Sequence, residues 1–416
     1  MGPLFVAGGP MAIAAGTPAF TRSTRAMFLG GFSTFALLYC VQPLMPVLGH
    51  EYALTPAQSS LVLAASTAAL ALALVVSTVV SARLGRTPLM VGAMVVAAIL
   101  TLLSPLAHNY GQLVALRAMT GLALGGMPAI AMVYLSEEME AGSLGAAMGV
   151  YISGGAFGGM AGRMLTSVLC DMYSWRVAMA ALGVAGLLAA WEFWRSLPRS
   201  RHFTRGAIHW SGAWQGWSLH LRDDGMRLLF ALAFVLMGCM VSAYSYIAFR
   251  LQSAPYGLRQ SVTGLVSFLY VLGIFSSVWA GRLVDRLGRR NVLWKIMALM
   301  LGGLLLTLAS SLPLILLGMA VFTFAFFAGH SIASSWVGRR AQALSRPQAG
   351  LASGLYLFFY YLGSSVVAWT TGLLWSRGGW TGVVALLGAC LCGGLLIALR
   401  LRQLEPVAEA APAIAA

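Results

Sequence analysis

The sequence predicts an all-α membrane protein with twelve transmembrane helices in two pseudo-symmetric six-helix halves. Three observations support this prediction: the composition, the number of long apolar runs and an internal repeat. Hydrophobic residues make up 59% of the 416-residue chain, charged residues only 9%, and the mean hydropathy is +0.84. A chain of this composition cannot cover its apolar surface with polar groups in water, so we expect it in a lipid bilayer.

The apolar runs supply the twelve helices, because each is close to the roughly 20 residues that a helix needs to cross about 30 Å of hydrocarbon. The first six cover residues 26–49, 57–82, 88–106, 111–134, 144–170 and 176–196, and the second six cover 228–252, 261–284, 290–311, 313–337, 348–373 and 380–401. The predicted organisation is an N-terminal tail (1–25), a first half (26–196), a central linker (197–227), a second half (228–402) and a C-terminal tail (403–416).

An internal repeat relates the two halves. Residues 281–290 read GRLVDRLGRR, and a weaker copy, TVVSARLGRT, lies 203 positions earlier at residues 78–87. An offset of 205 relates several further pairs, namely Tyr39 and Tyr244, Gly149 and Gly354, Tyr151 and Tyr356, Gly158 and Gly363, and Trp175 and Trp380. A duplication of this length constrains the fold more than a single motif does.

The basic residues predict the orientation of the chain. If both termini are cytoplasmic, 20 of the 26 lysines and arginines lie in cytoplasmic loops and tails, as the positive-inside rule requires. The net charge of +15 is spread over many short loops without a basic stripe, which argues against a nucleic-acid partner. No spacing indicates a nucleophile with its base, a metal site or a phosphate-binding loop, so we expect neither an enzyme nor a cofactor.

Three motifs resemble those of the major facilitator superfamily. They are GRLVDRLGRR after the eighth run, the Arg117-x-x-x-Gly121 element of the fourth run, and GGAFGG at 154–159, which resembles the antiporter signature GPxxGG. The segments YCVQPLMP (39–46), YLSEEME (134–140) and HSIASSW (330–336) are most similar to the arabinose-efflux-permease-like branch near the drug:proton antiporters. The resemblance covers nearly the whole chain. It implies a monomeric secondary transporter of the bacterial inner membrane that works by rocker-switch alternating access.

The loop motif of the second half implies a conformational latch at the cytoplasmic side. Asp285 can sit against the N-terminus of a helix from the other half, where the helix dipole favours a carboxylate. Symmetry places this target at the start of the fifth span, near Gly142 and Ser143, and the neighbouring arginines can pair with Glu137, Glu138 and Glu140. The other latch residues are Gly281, Arg282, Arg286, Gly288 and Arg289. The alternative is that these are solvated charges that only set topology.

Two departures from the family motifs affect this interpretation. The first-half copy of the loop motif has Ala82 where the family has Asp and Thr78 where it has Gly, so Asp285 is the only loop-motif acid. The antiporter signature has Gly155 in place of Pro. Small residues at close spacing let helices approach, so we expect the glycines of the fifth span to pack against the eighth span of the other half. These glycines are Gly154, Gly155, Gly158 and Gly159.

Charge within the spans indicates the class of solute. Arg117 and Arg163 lie inside apolar runs, whereas the eleven acids are expected outside the spans. Intramembrane charges usually mark function, so the sequence predicts a neutral or anionic amphipathic solute with Arg117 facing it. For both arginines, and more so for Arg163 near the outer end of its span, the alternative is snorkelling to the membrane surface.

Two residues are candidates for carrying a coupling proton. His330 lies inside an apolar run, and Glu51 lies at a helix end where desolvation can change its affinity for protons. A structural hydrogen bond from His330 to Ser331 or Ser334 is the alternative. Further polar side chains of the first, seventh and eleventh spans, which line the cavity in this family, complete the predicted solute site: Tyr39, Gln42, Tyr244, Tyr246, Tyr356, Tyr360 and Tyr361. Anchoring at the membrane interface is the alternative for part of this set.

These features together predict a proton-coupled exporter of a small amphipathic organic solute. The expected partners are the solute, protons and the lipid bilayer. The alternative is a membrane sensor or assembly factor that has the same scaffold and moves nothing. The glycine-rich helix and the polar groups at mid-membrane favour transport.

Overall fold

The computed structural model describes residues 12–198, 200, 210–345 and 349–404. Parts of the predicted tails and linker (1–11, 199, 201–209 and 405–416) and the side chains of Thr78 and Ala82 lie outside this description. The helices of the first half follow the predicted order. Span 1 comprises Pro18–Tyr39, the 3-10 turn Gln42–Leu44 and Met45–Glu51; span 2 is Pro56–Leu84; span 3 is Arg86–Leu103, followed by the 3-10 turn Ser104–Leu106; span 4 comprises Tyr110–Leu124 and Pro128–Glu138; span 5 is Ala141–Met172; and span 6 is Trp175–Ser196.

The second half repeats this order after a linker helix, Trp210–Arg222. Span 7 is Asp224–Gln252; span 8 comprises Gln260–Gly264, the 3-10 segment Leu265–Val271 and Leu272–Leu287; span 9 is Arg289–Leu306; span 10 is Leu312–Leu344; and spans 11 and 12 form the helix Ala349–Gln403, which is broken at Gly379. Gly379 has φ 54° and ψ −140°, a conformation outside the helical region that glycine adopts readily.

Ten helical segments of the described chain are long and apolar enough to cross a membrane. Ala349–Gln403 has 55 residues and accounts for two crossings, and Arg289–Leu306 occupies the position of span 9. The described helices therefore fit twelve spans, with Pro18 and Gln403 at the same end of the bundle. We call this the termini end and the other the opposite end.

Backbone geometry reproduces the internal repeat. Gly85 separates spans 2 and 3 with φ 93° and ψ 152°, and Gly288 separates spans 8 and 9 with φ 76° and ψ 142°. Both lie in the positive-φ region that side chains disfavour. The glycine shared by the two copies of the loop motif is therefore required by the same tight turn in each half.

The glycines of span 5 pack within their own half. Added Cβ atoms at Gly154 and Gly158 would overlap the carbonyl oxygens of Phe28 and Phe32 on span 1. The equivalent glycine in the second half, Gly363, meets the backbone of span 7 in the same way. Span 5 does pack on span 8, as predicted, but through residues such as Ser167, which lies against Gly264, and not through these two glycines. The spacing identified a close-packing face, but spacing alone cannot tell which neighbour it meets.

Residues 12–17 form an ordered segment rather than a free tail. The Ile13 N–H donates to the Glu138 carbonyl oxygen (2.8 Å), and the Glu140 N–H donates to the Ile13 carbonyl oxygen (3.0 Å). The Ala15 N–H donates to Ser143 Oγ (2.7 Å) at the start of span 5. This segment ties the beginning of span 1 to the loop between spans 4 and 5.

The linker helix is amphipathic. Ala213, Gly216 and His220 face the second half, while Trp210 and Trp214 are exposed. Tryptophan at a membrane-water boundary places its apolar ring in lipid and its N–H in water. The exposed tryptophans therefore suit a linker that lies on the membrane surface.

Candidate functional site

Arg163 lies at the centre of the bundle, enclosed by both halves. Its side chain is 3% exposed, and its Nε donates to Gln42 Oε1 (2.5 Å) while Nη1 donates to the Gly159 carbonyl oxygen (2.6 Å). The guanidinium carbon lies 4.2 Å from the ring centre of Tyr39 and 4.7 Å from that of Tyr270, which belongs to the second half. The alternative that Arg163 snorkels to the surface is therefore wrong.

No described carboxylate neutralises Arg163. The described ion pairs of Glu51, Glu137, Glu192, Asp223 and Asp224 all lie at helix ends. Among the acids only Glu192 lies inside a predicted span, and it pairs with Arg25 near the end of span 6. A buried charge without a partner is strongly disfavoured in a low-dielectric interior. The centre of the described bundle is thus positively biased and suited to an anionic group.

Aromatic side chains from both halves surround the guanidinium. Tyr244 packs edge-on against Tyr270 with ring centres 4.8 Å apart, and its hydroxyl lies 2.7 Å from Thr323 Oγ1. Tyr360 contacts His330 and Tyr361, with ring centres 4.7 Å and 5.2 Å apart. Aromatic rings offer large flat surfaces to an organic solute and stabilise a nearby cation.

Unused polar atoms in the interior of the described bundle identify donors for a solute. The hydroxyls of Tyr39 and Tyr151 are buried and have no hydrogen-bond partner among the described residues. Buried hydroxyls normally find a partner, so each is a place where a ligand or water fits. Tyr151 was absent from the predicted site, although it matches Tyr356 at the repeat offset and could have been included on that ground.

His330 is joined to Tyr356 across spans 10 and 11. Its Nδ1 lies 2.9 Å from the Tyr356 hydroxyl, and its ring stacks on Phe326. Ser334 instead donates to the Ser331 carbonyl oxygen, so the predicted alternative of a bond from His330 to these serines is wrong. The structure thus brings two predicted site residues together in the second half.

Gln42 connects Arg163 to the other half of the molecule. Its Oε1 accepts from Arg163, while its Nε2 donates to the Val241 carbonyl oxygen and to Ser245 Oγ, both at 2.9 Å. The side chain is 1% exposed. Both polar ends of this amide are therefore used in linking spans 1, 5 and 7.

Other hydrogen bonds between the halves lie at mid-membrane or at the opposite end. They join Gln260 to Pro43, Ser261 to Asp171, Tyr246 to Pro56, and Thr67 to Ser365. Between the described residues no hydrogen bond or ion pair links the halves at the termini end. The described hydrogen bonds between the halves therefore hold them together at mid-membrane and at the opposite end.

Arg117 has a different environment from the one predicted. It is fully buried, and its Nη2 donates to the carbonyl oxygens of Leu37 (3.0 Å) and Leu38 (2.8 Å). These carbonyls lie just before the break in span 1, and a cation at a helix C-terminus stabilises such groups. Its Nε and Nη1 are buried without a hydrogen-bond partner among the described residues, and no described interaction joins Arg117 to Tyr39 or Tyr270. The two bonds from Nη2 favour a role in holding span 1.

Two further predicted residues form contacts at the opposite end. The Tyr246 hydroxyl donates to the Ala368 carbonyl oxygen (3.0 Å) and reaches Pro56, which joins spans 7, 11 and 2. Glu51 pairs with Arg176 (2.5 Å) and accepts from the Trp175 Nε1–H. Both residues therefore make structural contacts where the halves or helix ends meet.

The latch residues are separated in this conformation. Asp285, Arg282 and Arg286 are exposed, and Asp285 makes no hydrogen bond or ion pair with another described residue. Ser143 already accepts from Ala15, and Glu137 pairs with Arg86 (2.8 Å). Gly281 and Gly288 have no close neighbours, and Arg289 is half-buried. No described interaction joins Asp285 to the start of span 5, so the latch stays a prediction.

Comparison with known proteins identifies the family. A model of the Major Facilitator Superfamily matches residues 27–368 and 253–415. The chain is 46% identical over 388 residues to the Escherichia coli (strain K12) inner membrane transport protein YnfM, covering 93% of this chain and 92% of that protein. The chain belongs to the major facilitator superfamily, whose named relatives are transporters rather than enzymes.

Solved structures share the fold at low sequence identity. The nucleoside transporter NupG superposes with a TM-score of 0.75 at 12% identity, covering 91% of this chain and 99% of that one. A bacterial homologue of the human lysosomal transporter Spinster, in an inward-facing and unoccupied conformation, gives a TM-score of 0.74 at 15% identity, covering 93% of this chain and 97% of that one.

Proposed function

We propose that this major facilitator superfamily member exports a small amphipathic organic anion, driven by inward proton flow, from the cytoplasm of a bacterium. The observation that carries the proposal is Arg163, a buried cation held between tyrosines without a described carboxylate. An arginine at mid-membrane costs roughly 2.5–3.5 kcal/mol on insertion scales. Binding of an anionic solute would explain why the protein keeps an arginine at this position despite the cost of inserting it.

The surroundings of Arg163 favour a solute with an aromatic or flat apolar part. Tyr39 and Tyr270 flank the guanidinium, and the unpartnered hydroxyls of Tyr39 and Tyr151 are available as additional donors or acceptors. A cationic drug would meet a like charge here, which is repulsive in a low-dielectric site. The proposal therefore narrows the predicted neutral or anionic class to anions.

Export and orientation rest on sequence features. The glycine-rich motif of span 5 resembles the antiporter signature, and most basic residues lie in loops and tails at the termini end. On the positive-inside rule we place that end in the cytoplasm. The name of the relative YnfM supports the inner membrane as the location. We propose that Asp285 closes the latch in the outward-open state.

Proton coupling is assigned to His330, because it is a titratable side chain beside the tyrosines and the described interior offers no carboxylate there. A non-transporting sensor is the less favoured alternative. Arg163 and Gln42 place polar contacts across the seam between the halves, where a moving transporter needs them.

The test compares small molecules retained by bacterial cells that lack the protein with those in cells that carry it. Compounds that the protein exports should be depleted in the cells that carry it, and we expect mass spectrometry to show that these compounds are organic anions. Arg163→Gln should abolish this depletion while leaving the amount of membrane-inserted protein unchanged, and Arg163→Lys should retain part of it because it keeps the charge without the planar fork.

Arg176→Gln is the matched control, because Arg176 is half-exposed at the opposite end and pairs with Glu51. It should leave the depletion close to that of the parent, since exposed ion pairs contribute little. Depletion of cations, or no depletion of any compound, would show that the proposed function is wrong.

A further inference from the structure

Gln42 lies where span 1 is interrupted. Pro18–Tyr39 ends before it, and Gln42–Leu44 form a 3-10 turn that precedes Met45–Glu51. Pro43 has no N–H and cannot continue the helical hydrogen bonds, which accounts for the interruption. Such 3-10 stretches within a span often mark hinges. A second one, Leu265–Val271 of span 8, carries Tyr270 on the other side of Arg163.

The interruption is attached to the other half at two adjacent residues. Gln42 donates to Val241 and Ser245 on span 7, and the Pro43 carbonyl oxygen accepts from Gln260 Nε2 on span 8 (2.6 Å). A displacement of this short segment therefore acts directly on the closure at the opposite end.

The bond between Gln42 and Arg163 is one that an anionic solute can replace. A carboxylate binds a guanidinium through two parallel hydrogen bonds and more strongly than a neutral amide oxygen does. Arg163 Nε donates to Gln42 Oε1, so the edge of the guanidinium that carries Nε is occupied by Gln42. A carboxylate that binds Nε and Nη2 together must displace Gln42 Oε1.

We propose that Gln42 is a positioning residue that transmits occupation of Arg163 to the closure at the opposite end. Displacement of its oxygen frees the amide that Arg163 had oriented towards Val241 and Ser245. The bonds to span 7 weaken, and the opposite end opens. This inference rests on the proposed function only for the identity of the anion that displaces Gln42. The coupling from Arg163 through Gln42 to the closure can be measured without solute.

The experiment uses Ser167→Cys as a reporter in protein whose five native cysteines are replaced by serine. Ser167 is fully buried and its side chain contacts Gly264 of span 8, so it becomes accessible when the halves separate at the opposite end. The rate of labelling with a polar maleimide is measured on the purified full-length protein in lipid nanodiscs.

Gln42→Ala should raise the labelling rate by about tenfold, because it removes the charge-assisted hydrogen bond from Arg163 and the two hydrogen bonds to span 7. Arg163→Ala should raise it as well, because Gln42 loses its anchor. The double variant Gln42→Ala with Arg163→Ala should label no faster than Gln42→Ala alone, since two residues acting through one link are not additive.

Thr67→Ala is the matched control, because Thr67 forms a different hydrogen bond between the halves, to Ser365 (2.6 Å). In the double variant Thr67→Ala with Arg163→Ala, the fold increase in labelling rate should equal the product of the increases in the two single variants. If Gln42→Ala is poorly produced, Gln42→Glu keeps an acceptor for Arg163 and removes the donor to span 7. It should also increase labelling.

Labelling of Gln42→Ala and Gln42→Glu at the parental rate would overturn the inference, as would independent effects of Gln42→Ala and Arg163→Ala. The result is separable from the proposed function. If cells carrying Arg163→Gln export the same compounds as the parent, the anion proposal fails even where the labelling results hold.

Discussion

The first and second halves share a backbone but differ in the residues at the centre. Gly85 and Gly288 form the same positive-φ turn, and Gly158 and Gly363 both pack on the first helix of their half. At the repeat offset of 205, however, Arg163 corresponds to Ala368. Gln42, its partner, likewise corresponds to an apolar residue of span 7, namely Ile247.

The second half has its own additions to the shared scaffold. His330 corresponds to Gly125 in the first half, where no side chain is present. Tyr356 bonds to His330, whereas its counterpart Tyr151 has a buried hydroxyl without a described partner. The repeat therefore specifies how helices pack, and the candidate chemistry lies where the repeat is broken. Under the proposed function, the first half would supply the anion site and the second half the proton site.

The largest expected effect is on the shared packing. Gly158→Val and Gly363→Val should each abolish accumulation of folded protein, because the new side chain would overlap backbone atoms of the adjacent helix that cannot move independently. Size-exclusion profiles of a fluorescent fusion measure this. The matched controls are Gly149→Val and Gly354→Val, a second repeat pair with no atom within 4 Å of the added Cβ.

Both control variants should give monodisperse protein in amounts close to the parent. A difference between Gly158→Val and Gly363→Val, with one tolerated and the other not, would contradict the view that the two halves use equivalent glycine packing.

The spans and the repeat were predictable because they depend on local sequence. Apolar length fixes the number of crossings, and the loop-motif glycine has to supply the same turn twice. Span 5 packs on span 8 as predicted, but Gly154 and Gly158 lie against span 1, because a small-residue pattern does not identify its partner helix. Ordering of residues 12–17 was also missed, since it depends on backbone bonds to a loop more than 120 residues away.

The site was predicted less completely than the fold. Gln42, Tyr39, Tyr244 and Tyr356 were found from their positions on cavity-lining spans, and the structure places them around Arg163 or His330. The two arginines have different surroundings from those expected, since Arg117 bonds to carbonyls of span 1 and Arg163 is enclosed by both halves. Position along a span suggested that Arg163 could reach the surface, but only the packing of both halves shows that Tyr270 and Gln42 enclose it.

A smaller effect is expected from Arg117, which tests whether the two first-half arginines have separate roles. Arg117→Gln and Arg117→Lys should destabilise the protein by about 2–4 kcal/mol, because the carbonyls at the break in span 1 lose a buried charged donor. Thermal unfolding of purified protein followed by tryptophan fluorescence measures this. Transport per folded molecule should stay near the parental value.

Arg163→Gln is the comparison for this experiment and should show the reverse pattern, with stability retained and transport lost. If Arg117→Gln keeps full stability but loses export of anions, Arg117 rather than Arg163 faces the solute, and the assignment of the site within the first half has to be exchanged.

The smallest expected effect on folding is that of His330→Ala, which tests whether the second half supplies the coupling proton. His330 has one described hydrogen bond, to Tyr356, so its loss should cost only about 1 kcal/mol of stability. If His330 carries the coupling proton, its loss should reduce uphill export by roughly tenfold, whereas downhill exchange of solute should change by less than about twofold. Tyr356→Phe is the control, because it removes the hydrogen bond but keeps both rings, and it should leave uphill export intact. Vesicles loaded with solute and subjected to an imposed pH gradient separate the two modes. Uphill export that is unaffected by His330→Ala would place the proton elsewhere, and the division of labour between an anion-binding first half and a proton-binding second half would no longer hold.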